Sequence, residues 1–282
     1  MKKIILLTIA AFTMVFAACS GSGNLSGDAV DLKLKPKKGE NYLTKMSMDM
    51  NMAFAGNNIA TITHFDMNTN IIDVADNGDV TMEYSFKKIR MEMNMPGVEE
   101  PIILDPDNQQ EVTPEFAETL RIFSLMKTMG VKTTMTNRGE LKNLELLTDS
   151  VAADILAKVN QTFSDNMAKN YQIYPENPVK IGEIWDIVIN QNMNAIDMKA
   201  TNTYTLKQII DGKAILGVKT KLEAGGEGMQ GMSLDGTAEG EMTLFLESGM
   251  IADGLQEMEI NMTSGLGSIV MRATLHMKTE KN

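Results

Sequence analysis

Tyr42-Leu43-Thr44-Lys45-Met46-Ser47-Met48-Asp49-Met50-Asn51-Met52 sets methionine at 46, 48, 50 and 52, against Lys45, Ser47, Asp49 and Asn51 between them. Successive side chains of a strand point to opposite faces, so a period of two predicts a half-buried strand. Met91, Met93 and Met95 repeat the pattern against Arg90, Glu92 and Asn94. Working outward, further strands are predicted at about 59–74, 79–93, 131–137, 140–147, 184–193, 197–210, 213–223, 240–247, 250–262 and 268–279.

The joints between these runs carry turn chemistry. Asp76-Asn77-Gly78, Asn137-Arg138-Gly139, Asp211-Gly212 and Glu247-Ser248-Gly249 each offer a glycine where a tight turn needs positive φ. Short turns make consecutive strands antiparallel, so the expected topology is a meander and not a βαβ fold.

Two amphipathic helices are predicted in the first half. Thr113-Pro114-Glu115 supplies an N-cap, a proline at the first helical position and an early acid, and Phe116, Leu120, Phe123 and Met126 follow at helical spacing before Gly130. The second opens at Asp149 or Ser150 and carries Val151, Ile155, Val159, Phe163 and Met167 on one stripe, ending before Pro175. Lys38-Gly39-Glu40-Asn41-Tyr42 is echoed by Lys180-Ile181-Gly182-Glu183-Ile184-Trp185, each ahead of a strand and hairpin, which predicts a two-fold internal repeat of about 30–178 and 179–282. The expected class is therefore mainly β (α+β): a large curved antiparallel meander sheet or open barrel with two covering helices.

The amino terminus predicts export. Lys2 and Lys3 precede an apolar run from Ile4 to Ala18 broken only by Thr8 and Thr13, the layout of a secretory signal. A span needs ~20 apolar residues, and this run is shorter and ends in Ala17 and Ala18 before Cys19. Phe16-Ala17-Ala18-Cys19 resembles the lipobox of bacterial lipoproteins, with Phe16 departing from the usual aliphatic residue; the resemblance implies cleavage after residue 18 and acylation of Cys19. An ordinary signal peptide followed by a chance cysteine is the alternative. Several acyl chains, each methylene worth about 0.8 kcal/mol, would anchor the protein on a membrane without spanning it. The expected domains are a signal at 1–18, lipidated Cys19 and a Gly/Ser-rich tether over 19–29, and a β-rich body at 30–282. Ser20 in place of aspartate, and no acidic cluster after it, point to the outer membrane and a periplasm-facing position in the cell envelope.

Composition narrows the chemistry. Cys19 is the only cysteine, so the body holds no internal disulfide. Deleting Lys2 and Lys3 with the signal takes the net charge from −11 to −13, and the largest basic cluster is Lys35 to Lys38, interrupted by Pro36, which argues against a nucleic-acid partner. Aromatics are 5% of residues, and 23 of the 25 methionines follow the signal, which suggests an adaptable core or cavity.

No catalytic or cofactor motif is found. His64 and His276 stand alone; no metal and no cofactor is expected. Asp105, Asp107 and Glu111 could gather oxygens for calcium but lack the glycine and distal glutamate of a calcium loop, and the sequence also reads as a turn. Asp73, Asp76 and Asp79 read as a hairpin tip, and Gly225 to Gly231 as a loop without the Lys-Ser/Thr of a phosphate site. Trp185 reads as a core anchor.

The opening Lys35-Pro36-Lys37-Lys38-Gly39-Glu40, the later Lys180-Ile181-Gly182-Glu183-Ile184-Trp185 and the glycine-turn hairpins resemble an uncharacterised family of Bacteroidota-type lipoproteins over most of the body; no activity is implied. Long antiparallel strands and a few helices behind a lipobox are also similar in architecture to the open half-barrels that carry lipoproteins and lipids in the periplasm. The expectation is a non-enzymatic envelope lipoprotein, attached to the membrane through Cys19, that binds a lipid or other apolar ligand along Met46, Met48, Met50, Met52, Met91, Met93 and Met95. The alternatives are a structural or protein-interaction lipoprotein with a fully packed core, in which those methionines are filling, and a hydrolase with a dispersed carboxylate site.

Overall fold

The computed structural model describes residues 28–54, 56–108, 112–147, 172–193, 196–225, 229, 232–264 and 267–282. Its elements are β1 (Asn41–Phe54), β2 (Asn57–Val74), β3 (Val80–Asn94), β4 (Ile102–Leu104), α1 (Pro114–Thr128), β5 (Gly130–Met135), β6 (Leu141–Leu147), β7 (Ile184–Met193), β8 (Ile196–Ile210), β9 (Lys213–Gly225), β10 (Ser233–Phe245), β11 (Ile251–Ser264) and β12 (Gly267–Lys281). All twelve strands form one sheet in the order β6-β5-β3-β2-β1-β12-β11-β10-β9-β8-β7, with β4 beside β3. Every pairing is antiparallel, and β12 returns to β1 with Tyr42 opposite Lys281 and Met52 opposite Met271. The sheet does not close: β6 and β7 are its edges among the described residues.

The two Lys-x-Gly-Glu segments make the same hydrogen bonds. In the first copy the Lys37 amide donates to Glu40 Oε2 (2.9 Å), Gly39 N donates to Ile71 O (2.9 Å) and Ile71 N to Glu40 O (2.9 Å). In the second, Lys180 N donates to Glu183 Oε2 (2.8 Å), Gly182 N to Leu206 O (2.7 Å) and Leu206 N to Glu183 O (3.2 Å). Gly39 and Gly182 hold φ of 84° and 89°, a left-handed region costly for side chains, which is why the motif needs glycine. The copies are β1-β2-β3-β5-β6 and β7-β8-β9-β10-β11, and β12 lies between β11 and β1.

A strap before β1 shows that the sheet is curled. Leu34 N donates to Asn137 O (2.8 Å) and the next amide, Lys35 N, to Ser248 O (2.7 Å). Consecutive amides lie within about 4 Å, so the β5–β6 and β10–β11 turns are within about 10 Å of each other. Six strand spacings separate those hairpins, which in a flat sheet would be about 29 Å. Arg138 secures the strap by donating to Leu32 O (2.7 Å) and pairing with Asp31 (2.8 Å). Leu32 and Leu34 then join Tyr42, Ile71, Met82, Tyr84, Val131, Tyr204, Leu216, Val218 and Met242 in one buried cluster that fills this end of the curl.

α1 starts as predicted, with Thr113 extended at the N-cap, Pro114 in the first turn and Glu115 near the positive helix end, and it stops at Met129. Phe116 and Phe123 bury their rings against Ile89, Met91, Met93 and Leu104, a burial worth roughly 1.5–3 kcal/mol per ring. The expected α+β class is corrected to mainly β: α1 is the only α-helix among the described residues, because strands take up nearly all the rest. The second predicted helix, from Asp149 or Ser150, lies outside the described residues, as do the signal and Cys19. β10 also starts earlier than predicted, at Ser233, and β4 was not foreseen.

Two outcomes test the strap and the repeated turn. At Gly249 (φ 75°) a Cβ would sit 2.0 Å from Lys33 O, so Gly249→Ala is expected to push the strap off and cost about 2 kcal/mol or more, read as a lower midpoint in thermal melting. Glu40, whose side chain is only 10% exposed, is pushed up by burial but pulled further down by Lys281, the Tyr42 hydroxyl and the Lys37 amide, so it ends below the usual glutamate range. A depressed carboxyl stabilises above its unfolded pKa and loses that contribution as pH falls through the folded one. Glu40→Gln should therefore cost about 1–2 kcal/mol in urea unfolding at pH 7, with the difference from wild type shrinking below about pH 4.

Candidate ligand-binding face

Strand register sorts the side chains into an inner and an outer face. One inner row reads Thr63, Met48, Leu275, Gln256, Gly240, Val218, Tyr204 and Trp185 across β2, β1, β12, β11, β10, β9, β8 and β7. The next reads Thr61, Met50, Ala273, Met258, Ala238, Thr220, Asn202 and Ile187, and the one beyond it Ile59, Met52, Met271, Ile260, Gly236, Leu222, Ala200 and Ile189. No charged side chain occurs in these three rows. The residues between them in sequence, such as Asp49, Glu239, Glu257, Glu259 and Arg272, carry the charge on the outer face.

The two predicted methionine stripes have different surroundings. Met91 and Met93 are buried beneath α1, with Met46 and Met95 packed at the margin of that cluster. Met48 and Met50 instead belong to a second cluster with Met258, Met271, Ala200, Ala238 and Ala273, at the end of the curl away from the strap. Met52 is buried on the same inner face. The floor of this second region is small: Gly236, Ala238 and Gly240 follow one another along the inner side of β10.

Most polar groups on this face satisfy each other. Thr44 and Thr279 hydroxyls lie 3.0 Å apart, and Thr220 donates to Asn202 Oδ1 at 2.7 Å. Gln256 differs: it is 1% exposed, and neither its Nε2 nor its Oε1 has a hydrogen-bond partner among the described residues. Its side chain leans over Gly240, where a Cβ would come within 2.7 Å of Gln256 Cγ. Leaving such an amide unpaired costs about 1–3 kcal/mol. Thr63, three strands away in the same row, carries an unpartnered buried hydroxyl, as does Thr133 on β5.

Other sequence candidates resolve into structure. Asp105 accepts from the Asp107 amide (2.9 Å) and from Asn108 Nδ2 (3.1 Å), which is a turn; Glu111 lies outside the described residues. Asp73 pairs with Lys38 and Asp79 with Lys142, and these lysines hold both carboxyls below their usual range. His276 lies 3.9 Å from Asp253 on the outer face. Among the described residues no three His, Cys, Asp or Glu side chains gather as metal ligands, and no helix is long and apolar enough to cross a membrane. An open hollow of about 490 Å³ has a mixed lining, with Glu239, Glu257 and Arg272 beside Ala238, Met258 and Ala273. Trp185 stacks on Tyr204 (centroids 5.5 Å apart, 18° between planes) and donates to Ile173 O at 3.0 Å, so it anchors the packed end.

Gln256 escaped the sequence reading because hydropathy alone turns Leu255 inward. The structure does the reverse, with Leu255 50% exposed. The period of two through Ala252, Gly254, Met258 and Ile260 was the signal that places residue 256 inside.

Fold and face together define an open, curled antiparallel sheet whose three described inner rows carry no charged side chain. Residues 158–251 match a family described as "Family of unknown function (DUF6263)". No curated protein matches the chain. Among solved structures it is similar in fold to lipovitellin, in a structure concerned with lipid–protein interactions: TM-score 0.54, 8% identity, covering 86% of this chain and 25% of that one. The chain thus spans about a quarter of lipovitellin's length. Two Pseudomonas aeruginosa proteins, OccK7 (OpdD) and OpdQ, align at TM-scores of 0.27 and 0.25, with 7% identity each, over 86% and 87% of this chain and 99% and 100% of theirs. Scores that low carry no argument about the fold.

Proposed function

We propose that this protein is an envelope lipoprotein, anchored through acylated Cys19, that holds a lipid or similar apolar ligand against the inner face of its open sheet. The observation that carries this reading is the uncharged inner face over three consecutive rows, floored by Gly236, Ala238 and Gly240 and flanked by Met48, Met50 and Met258. Methionine repacks around varied shapes, so Met48, Met50 and Met258 can move aside for a chain laid over Ala238, while Ile260 and Gln256 lie over Gly236 and Gly240. Lipovitellin, whose fold is similar, is described in terms of lipid interactions. The outer-membrane position rests on the sequence around Cys19.

The near-complete burial of Met48 and Met50 favours a second reading, in which the inner face is a filled core and the charged outer face meets a protein partner. Native mass spectrometry and organic extraction of the purified full chain separate the two. The carrier reading expects a stoichiometric apolar molecule that is reduced in Ala238→Phe, where a ring fills the floor. Clean protein that takes up no lipid establishes the second reading instead.

The anchor has its own test. Cys19→Ala is expected to abolish labelling with an acyl-chain precursor and to block release from the signal, read as a larger polypeptide that keeps residues 1–18. Labelling that persists in the variant refutes lipidation at this residue.

A further inference from the structure

We infer that Gln256 is the polar anchor of the inner face, and that the ligand it selects is an uncharged amphiphile: a single long chain ending in a hydroxyl, a hydroxyl-bearing ester or an amide group. This rests on the carrier reading above and adds the chemistry of the head group.

Three observations converge on Gln256. The first is its position, at the centre of an uncharged row between Leu275 and Gly240. Alternation fixes that direction, since Ala252, Gly254, Met258 and Ile260 on the same strand are buried with it and Asp253, Leu255, Glu257 and Glu259 are not. The second is its unpaired state. The inner-face pairs Thr44–Thr279 and Thr220–Asn202 satisfy each other, whereas Gln256 shares its unpartnered state with Thr63 in the same row and, alone in the three inner rows, leaves two polar atoms unmet, one a donor and one an acceptor. Gln256 has both amide atoms free among the described residues while being buried. The third is the room made for it. Gly240 cannot carry a side chain, because Gln256 Cγ and Leu255 O occupy that space, so the amide lies over β10 beside the Ala238 floor.

The amide sets the head-group chemistry. It offers two N–H donors and one carbonyl acceptor at a single point, which matches a group that itself both donates and accepts. A hydroxyl-bearing ester or an amide satisfies it in full. An ionised carboxylate or phosphate does not: it would use only the donors, and no Lys, Arg or His stands in the three inner rows to offset its charge. Burying an unpaired anion beside apolar walls costs far more than one hydrogen bond returns. The face therefore discriminates between heads of one chain length by charge, with the anion rejected.

The test compares three probes with the same twelve-carbon chain: monolauroylglycerol, laurate at pH 8 and dodecane. Binding to the delipidated full chain is followed by displacement of 1-aminoanthracene. Wild type is expected to bind monolauroylglycerol at least tenfold more tightly than laurate, a comparison that needs no variant. Gln256→Met keeps the length of the side chain and removes both polar atoms. It is expected to lose about tenfold in monolauroylglycerol affinity, to leave dodecane unchanged, and to melt at or above the wild-type temperature, because an unpaired amide has been removed. Equal monolauroylglycerol affinity in Gln256→Met, or a wild-type preference for laurate, overturns the anchor while dodecane binding leaves the carrier reading standing. Failure of all three probes to displace the dye overturns the carrier reading and the anchor with it.

Discussion

The ladder between β1 and β12 is the interaction on which the rest of the molecule depends. It pairs residues as distant in sequence as Thr44 and Thr279, 235 positions apart, and among the described strands it continues the sheet from the first five strands to the rest. Without it the chain would be two short meanders, each with an unpaired strand edge exposed. Its contacts are non-local, so chain entropy must be lost before they form. From Thr44 to Met52 and from Met271 to Thr279 both partners keep Met, Thr, Ala and Leu on the inner side and Lys45, Asp49, Arg272 and Lys278 on the outer one, so a slip by one residue would turn those charges inward. That fixes the register.

Curvature comes from a different place. The strap holds the β5–β6 and β10–β11 turns together by giving consecutive amides to both. The strap can lie there because Gly249 lacks a side chain and because Arg138 ties it at Leu32. One end of the curl is thereby filled with Tyr, Leu and Val, and the inner face beyond it is left to Met, Ala and Gly. The candidate face exists because the strap seals only one end.

Much of this was legible in the amino-acid sequence. Period-two alternation located the strands, and the paired Lys-x-Gly-Glu segments announced turns that proved alike in their hydrogen bonds. The misses have physical causes. The first half of β10 carries Gly236, Ala238 and Gly240 inward, so its alternation has no hydropathy contrast. β4 is only three residues long, too short for a period. The different roles of the Met stripes depended on α1 covering one and not the other, a tertiary fact that no local pattern contains. Gln256 was hidden because a buried polar residue inverts the cue that hydropathy supplies.

The strand count carries one more consequence. Each copy of the repeat has five strands, and β12 follows the second copy and fills the place between β11 and β1. Among the described residues the path holds eleven strands, and β6 and β7 form its two margins. A strand edge is a template for added strands, so these two margins, rather than any single side chain, decide where the sheet accepts a further strand.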